Sequence, residues 1–377
     1  KKDMKKCDEL IEKYISFASS ISDNKDFTTM LENYVKLYTE LSNTISKVLN
    51  YASLVLSVDT NNSEAQKNIE MSEEKYSRIA EPTAKIIKFI GDIENISRII
   101  DGSKLLKEHE YFLTSIVEES KYMLSDKEEG IIAKMRTTGS SAWSKMKNLI
   151  TSNLMVDIEE DDEVKQLPLT VVRNLAYHKA YEAELKAYPK VEEAVAAALN
   201  GIKGEVITVA ALRGFESPLH ETLIKSRMEK QTLDAMIAAM KESLPVFRKY
   251  LRRKAELLGY KNGLPFYELF APIGNVEMAF DYEKGKNFVE ENFRTFSDKL
   301  GDYARSAFEG KWIDVQPREG KVGGAFCSNL HSIGESRIML NYGNTFSDVV
   351  TMAHELGHGY HGECLKNERF LNSDYPM

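Results

Sequence analysis

The chain has 377 residues, enough for two or more domains with cores of their own. At 42% hydrophobic and 29% charged it reads as a soluble, mostly helical protein, and a net charge of −8 argues against a nucleic-acid partner, which would need clustered Lys and Arg. Three scattered cysteines (Cys7, Cys327, Cys364) exclude a disulfide framework, and no apolar run is read as approaching the roughly eighteen residues of a membrane span, so no membrane partner is expected.

Residues 1–150 read as a domain of successive long helices. Leu10, Ile11, Tyr14, Ile15, Ala18 and Ile21 recur at helical spacing, and Leu31, Tyr34, Tyr38, Leu41, Ile45 and Val48 continue as a near-heptad stripe. Such stripes are read as antiparallel helix packing and not as a coiled coil. Asn61-Asn62-Ser63 interrupts them, and Ser63 with Gln66 makes a capping box for the next helix. Pro82 should kink or divide that helix, and Ser125 with Glu128 caps another. No signal-like segment opens the chain, although it begins at Lys1 and not at Met, and a cytoplasmic setting is expected.

Between residues 151 and 169 the pattern changes. The acidic run Asp157–Glu163 lies between short apolar segments, which is either a small hairpin with a charged turn or a linker. Helices resume near Thr170, with Arg173, Tyr177 and Tyr181 ahead of a break at Pro189 and an alanine-rich helix over Val191–Leu199. The basic stretch Arg248–Lys254 is read as a solvated face threaded by a core stripe of Phe247, Leu251 and Leu257, on a helix closed by Gly259.

The chemistry sits near the end. Gly323-Gly324-Ala325-Phe326-Cys327 and Arg337–Tyr342 read as two strands around a loop with His331, and the second runs through Gly343 and Asn344 toward a helix. The first strand is either an edge that a peptide could extend or a tight bend in a small sheet. Cys327 and His331 lack a third orienting group, so a cysteine hydrolase is not expected. Thr345 and Asp348 cap the helix, Val349, Met352, Ala353, Leu356 and Tyr360 form its apolar stripe, and His354, His358 and His361 fall on another face.

His354-Glu355-Leu356-Gly357-His358 is the zinc peptidase pattern H-E-x-x-H. Histidines four apart share a helix face, with Cβ atoms about 6 Å apart, so both rings can reach one zinc ion at about 2.0–2.1 Å. Glu355, about 100° further round, is placed to take a proton from water on the metal. Catalytic zinc has three protein ligands. A third histidine in the longer H-E-x-x-H-x-x-G-x-x-H pattern is ruled out, because His361 and Cys364 occupy the glycine and histidine positions. His361 is read as lying beside the metal or facing substrate, and a glutamate from a further helix is the other solution.

The run from Gly323 to Met377, with GGAFC, ESRIMLNY, DVVTMAHELGHGYHGECL and LNSDYPM, resembles the oligoendopeptidase F family, related to thimet oligopeptidase and neurolysin. ALNGIKGEV, RGFESPLHETLIKSRM, FRKYLRRKAELLG, LPFYELFAPIG and KWIDVQPREGK carry the resemblance back to about Leu167. It implies a mainly α, elongated, two-lobed fold with a deep channel, and a zinc endopeptidase that cleaves short, unstructured peptides internally. His354 and His358 would be ligands, Glu355 the general base, and Gly323, Gly324, Ala325 and Phe326 would hold the substrate backbone; apart from the resemblance, His331 and His361 are read as further substrate-side residues. The family's third ligand is a glutamate roughly two dozen residues past the second histidine, which here falls beyond Met377. Residues 170–377 are accordingly expected to be the first part of a catalytic domain, inactive by itself. Nothing in the sequence speaks to oligomeric state.

Overall fold

The computed structural model describes residues 2–160, 163–169, 172, 178–269, 271, 273–274, 279–318 and 320–374. Thr170, Arg173, Tyr177, the tip of the acidic run at Asp161 and Asp162, and the last three residues of the LNSDYPM motif lie outside them. The chain is mainly α and divides into two compact units, one made of residues 1–131 and 277–375 and the other of 132–276 with 376–377. These do not follow the expected segments 1–150, 151–169 and 170–377. The last hundred residues return to pack with the N-terminal helices, a long-range pairing that no local pattern announces.

The first unit begins with α1 (Lys2–Ser20), α2 (Phe27–Val58), α3 (Ser63–Arg78), α4 (Ala80–Gly91), α5 (Ile96–Asp101), α6 (Lys104–Glu108) and α7 (Glu110–Ser120). Their apolar stripes meet as expected: Leu10, Ile11, Tyr14, Leu31, Tyr34, Leu41 and Ile45 are buried in one cluster with Ile86, Ile90 and Leu113. The tyrosines on the stripe keep their polar ends satisfied or stacked. Tyr14 Oη hydrogen-bonds Thr83 Oγ1 at 3.1 Å, and Tyr34 stacks on Tyr38 with ring centroids 5.5 Å apart.

Asn62, and not Ser63, caps α3: its side chain accepts from Ala65 N at 2.9 Å, which makes Ser63 the first helical residue. The interruption attributed to Pro82 comes at Ile79, between α3 and α4, so that Pro82 falls in the first turn of α4, where its missing N–H leaves no helical bond unmade. Ser125 and Glu128 do form the expected box at the start of α8 (Asp126–Thr138), with Ser125 N donating to Glu128 Oε2 at 2.9 Å.

The second unit holds α9 (Ser140–Ser152), an antiparallel hairpin of β1 (Met155–Glu160) and β2 (Glu163–Pro168), α10 (His178–Ala187), α11 (Glu192–Leu212), α12 (Pro218–Lys225) and α13 (Lys230–Leu257). The hairpin reading of residues 151–169 therefore holds over the linker. Val156 and Ile158 point into a small core with Ala180, Ala183 and Ala187, while Asp157 and Glu159 alternate outward. The alanine-rich helix continues well past Leu199.

By length and composition α11 is apolar enough to cross a membrane, which corrects the reading that no such run exists. Its Glu205 accepts from Arg136 Nε at 2.9 Å and Ser140 N at 2.7 Å, and Gly201 lies against Trp143 of α9. The stripe expected to be core on α13 is not: Phe247 is 60% and Leu257 52% exposed. Helical spacing placed these residues on the helix but could not say whether another element covers them.

The first unit then resumes with α14 (Tyr282–Phe296), α15 (Asp298–Glu309), β3 (Ile313–Asp314), β4 (Phe326–Leu330), β5 (Glu335–Met339) and α16 (Phe346–Leu365). The sheet order is β3-β5-β4, with β3 parallel and β4 antiparallel to the central β5, so β4 is an edge. The loop between β3 and β4 is tied to the end of α2, since Thr60 N donates to Gly320 O at 2.7 Å and Val322 N to Ser57 O at 2.9 Å. Lys321, fully buried at its side chain, donates to Asp314 Oδ1 at 2.6 Å and to the carbonyls of Gln316 and Leu340. Arg318 and then Lys321 hold the Asp314 carboxyl below its ordinary range. After α16 the chain returns to the N-terminal helices: Asn372 Nδ2 donates to Glu108 O at 2.8 Å, and Leu371 packs on their core.

Candidate metal centre

The helix that carries the histidines is set by its own start. Thr345 Oγ1 accepts from Asp348 N at 3.3 Å while Asp348 Oδ2 accepts from Thr345 N at 2.8 Å, the reciprocal box expected from the sequence. From there Val349, Met352 and Leu356 bury themselves against Phe280, Val289, Ile338 and Leu340, with Ala353 and Tyr360 alongside. The opposite side is open: His354 and His361 are exposed and His358 is half-buried.

His354 Nε2 and His358 Nε2 converge to 3.1 Å, with the ring planes at 84°. Two nitrogens each about 2.05 Å from a tetrahedral ion lie about 3.3 Å apart, so the pair fits one zinc. Among the described residues, no group of three or more His, Cys, Asp or Glu comes together, so the pair has no third partner there. Glu355 is only 7% exposed. Its burial raises the carboxyl pKa above the ordinary value, against the opposing pull of His354 and His358. Burial and a partly compensating positive field are what a carboxylate needs to act as a proton acceptor near neutrality.

The glycine segment divides between its two readings. Gly323 and Gly324 form a bend, with Gly324 at φ 83°, a left-handed conformation that suits glycine, and the strand starts at Phe326. Of the four residues expected to hold substrate backbone, only Phe326 lies on the edge strand, and Ala325 leads into it. Asn341 fixes the bend, donating through Nδ2 to Val322 O at 2.9 Å and Gly324 O at 2.8 Å.

His331 opens a short turn and its Nε2 meets Glu368 O at 3.0 Å, with the ring edge-on to Phe370. A carbonyl only accepts, so that nitrogen carries the proton. Cys327 is not its partner: the thiol lies 3.8 Å from Asn329 Oδ1, and burial pushes it up to about 12. A thiol so placed is no nucleophile at neutral pH, as the absence of an orienting group had indicated. In the folded protein a small alkylating reagent should modify the exposed Cys364 while sparing Cys327 and the buried Cys7, as read by mass spectrometry of digests. Equal labelling of all three would contradict these burials.

The sequence reading missed the polar groups behind the helix. Tyr303, Ser336 and Asn329 are joined to the His358 backbone, and the only signal, the facing pair Asn329 and Ser336, needs the β4–β5 register to be seen.

The sequence profile of Peptidase family M3 matches residues 172–377, more than half of the chain. The chain belongs to peptidase family M3. A second profile, described as Oligopeptidase F, matches residues 92–155, and the expected oligoendopeptidase F membership stands. Among relatives, an oligoendopeptidase F homolog of Lactococcus lactis subsp. lactis is 24% identical over 89% of this chain and 58% of its own length. Oligopeptidase PepF of Bacillus subtilis is 20% identical over 94% of this chain and 54% of its own. The fold of this M3 chain is also like that of the oligoendopeptidase-F structure from Enterococcus faecium, at a TM-score of 0.64 and 16% identity over 82% of this chain and 65% of the other. The chain thus spans little more than half the length of the relatives it matches.

Proposed function

We propose that the whole polypeptide is a zinc-dependent oligopeptidase that hydrolyses internal bonds of short, unstructured peptides. The observation that carries this reading is the convergence of His354 and His358 to 3.1 Å with Glu355 buried between them in sequence. Zinc, when bound, supplies a Lewis acid that polarises the scissile carbonyl and lowers the pKa of water toward about 7. His354 and His358 would hold it, together with a third protein ligand. The Glu355 carboxylate takes a proton from the attacking water and passes it to the departing amine nitrogen.

The edge of β4 receives the peptide as an added strand, with Ala325 and Phe326 offering backbone groups and the Gly323-Gly324 bend keeping the approach narrow. His361, exposed three residues beyond His358, faces the peptide. His331 acts at one remove, by holding the chain after α16 in place. A cytoplasmic setting accords with the three free cysteines.

Zinc titration tests the ligand count. Residues 1–377 alone should bind zinc weakly and cut no peptide, whereas the longer polypeptide should bind it tightly and cut. Tight zinc binding without cleavage by the longer polypeptide would favour a non-catalytic peptide-binding protein.

A further inference from the structure

A line of polar groups, buried at Tyr303 and Ser336 and half-buried at Asn329, runs from α15 to the metal helix. Tyr303 Oη donates to Ser336 Oγ at 3.0 Å, Ser336 Oγ donates to Asn329 Oδ1 at 2.8 Å, and Asn329 Nδ2 donates to the His358 carbonyl at 3.1 Å. Its direction is forced. A carbonyl can only accept, so Asn329 must turn its NH2 to His358 and its oxygen to Ser336, and the serine, having donated, accepts from the tyrosine. Ser336 is 2% and Tyr303 6% exposed, which shields the bond between them from water, while Asn329 and its bond to His358 are half-buried.

The helix is shaped to admit this line. A Cβ at Gly362 would stand 2.4 Å from Asn329 Cγ, and one at Gly359 would stand 2.0 Å from Tyr303 Oη. These glycines, three apart, share one face. Inside a helix the His358 carbonyl already has the amide four residues on as its partner. The bond from Asn329 is therefore additional to the helix and ties it to β4.

We propose that Asn329 is a positioning residue that sets the spacing between the peptide-receiving edge of β4 and the His354–His358 pair. Resting on the peptidase reading above, it makes Asn329 a strut that starts on the edge strand and ends on the backbone of a metal-holding residue. Tyr303 and Ser336 lock its orientation. Because both histidines ride on α16 together, loosening the strut moves the metal relative to the peptide without parting the ligands. A displacement of about 1 Å costs up to about 100-fold in rate.

The test uses the whole zinc-loaded polypeptide and an end-blocked peptide. Asn329→Ala, and Asn329→Asp, which keeps the shape but loses the donor, should each lower kcat by about 10- to 100-fold. KM and the zinc dissociation constant, measured by chelator competition, should stay within about threefold, because binding is left intact while geometry is not. Ile86→Ala, a fully buried site in the separate core of the N-terminal helices, should lower Tm at least as much and keep kcat.

Asn329 variants with kcat within about twofold of wild type, or an Ile86→Ala loss of kcat as large as theirs, would overturn the proposal. So would a rise of about tenfold or more in their zinc dissociation constant, which would make Asn329 part of metal retention. A wild-type polypeptide that never cuts, fully loaded with zinc, would instead overturn the peptidase reading and this proposal with it.

Discussion

Glu355→Gln in the whole polypeptide should lower kcat by about 10³–10⁴-fold, the upper range for loss of a general base. Glutamine keeps the size of the buried side chain and its capacity to hydrogen-bond, but it cannot take a proton from water. On the proposed reading His354 and His358 hold the metal, and their nitrogens converge without help from Glu355. Zinc affinity and peptide KM should therefore change by no more than about threefold, the pattern of an interaction made only on the way to the transition state. Steady-state kinetics and a zinc titration on the same preparation read both quantities. Retained turnover would remove Glu355 from its role.

Gly359→Ala should damage both stability and rate. The new Cβ would lie 2.0 Å from Tyr303 Oη and 2.9 Å from its Cζ. Tyr303 cannot step aside freely, since its ring is buried against Trp312 and Tyr360 and its hydroxyl donates to Ser336. Overpacking of this kind costs about 1–3 kcal/mol. Alanine's better helix propensity returns at most about 1 kcal/mol, so a net loss of up to about 2 kcal/mol should appear in denaturant unfolding. The helix relieves the clash by moving away from Tyr303 and α15, which should lower kcat by about 10- to 100-fold. Gly357 is the comparison: nothing lies within 4 Å of a Cβ there, so Gly357→Ala should leave stability unchanged or raise it by up to about 1 kcal/mol. Equal destabilisation by the two changes would contradict the close approach at Gly359.

What the sequence disclosed follows the range over which its signals act. The cap at Thr345, the buried face of Val349, Met352 and Leu356 and the pairing of His354 with His358 are all set within four residues, and all three appear in the structure. The same holds for the stripes of α1 and α2. Errors arise where a neighbour decides. Asn62 takes the cap from Ser63 because an asparagine one position earlier reaches the same amides. Phe247 and Leu257 have the spacing of a core stripe, yet their exposure depends on what covers α13. The strand at Gly323 begins three residues late, because Gly324 turns at φ 83° before β4 can pair with β5. Asn329 and Ser336 were invisible for a related reason: two ordinary polar residues become a pair only when the hairpin register sets them opposite one another.

The most direct test is hydrolysis of an internally quenched peptide, blocked at both ends, by the whole polypeptide. Cleavage at an internal bond that stops on chelation and returns with added zinc is the result expected from imidazoles 354 and 358 acting with carboxylate 355. Cleavage that persists when zinc is stripped, or none at all at full zinc loading, would contradict it.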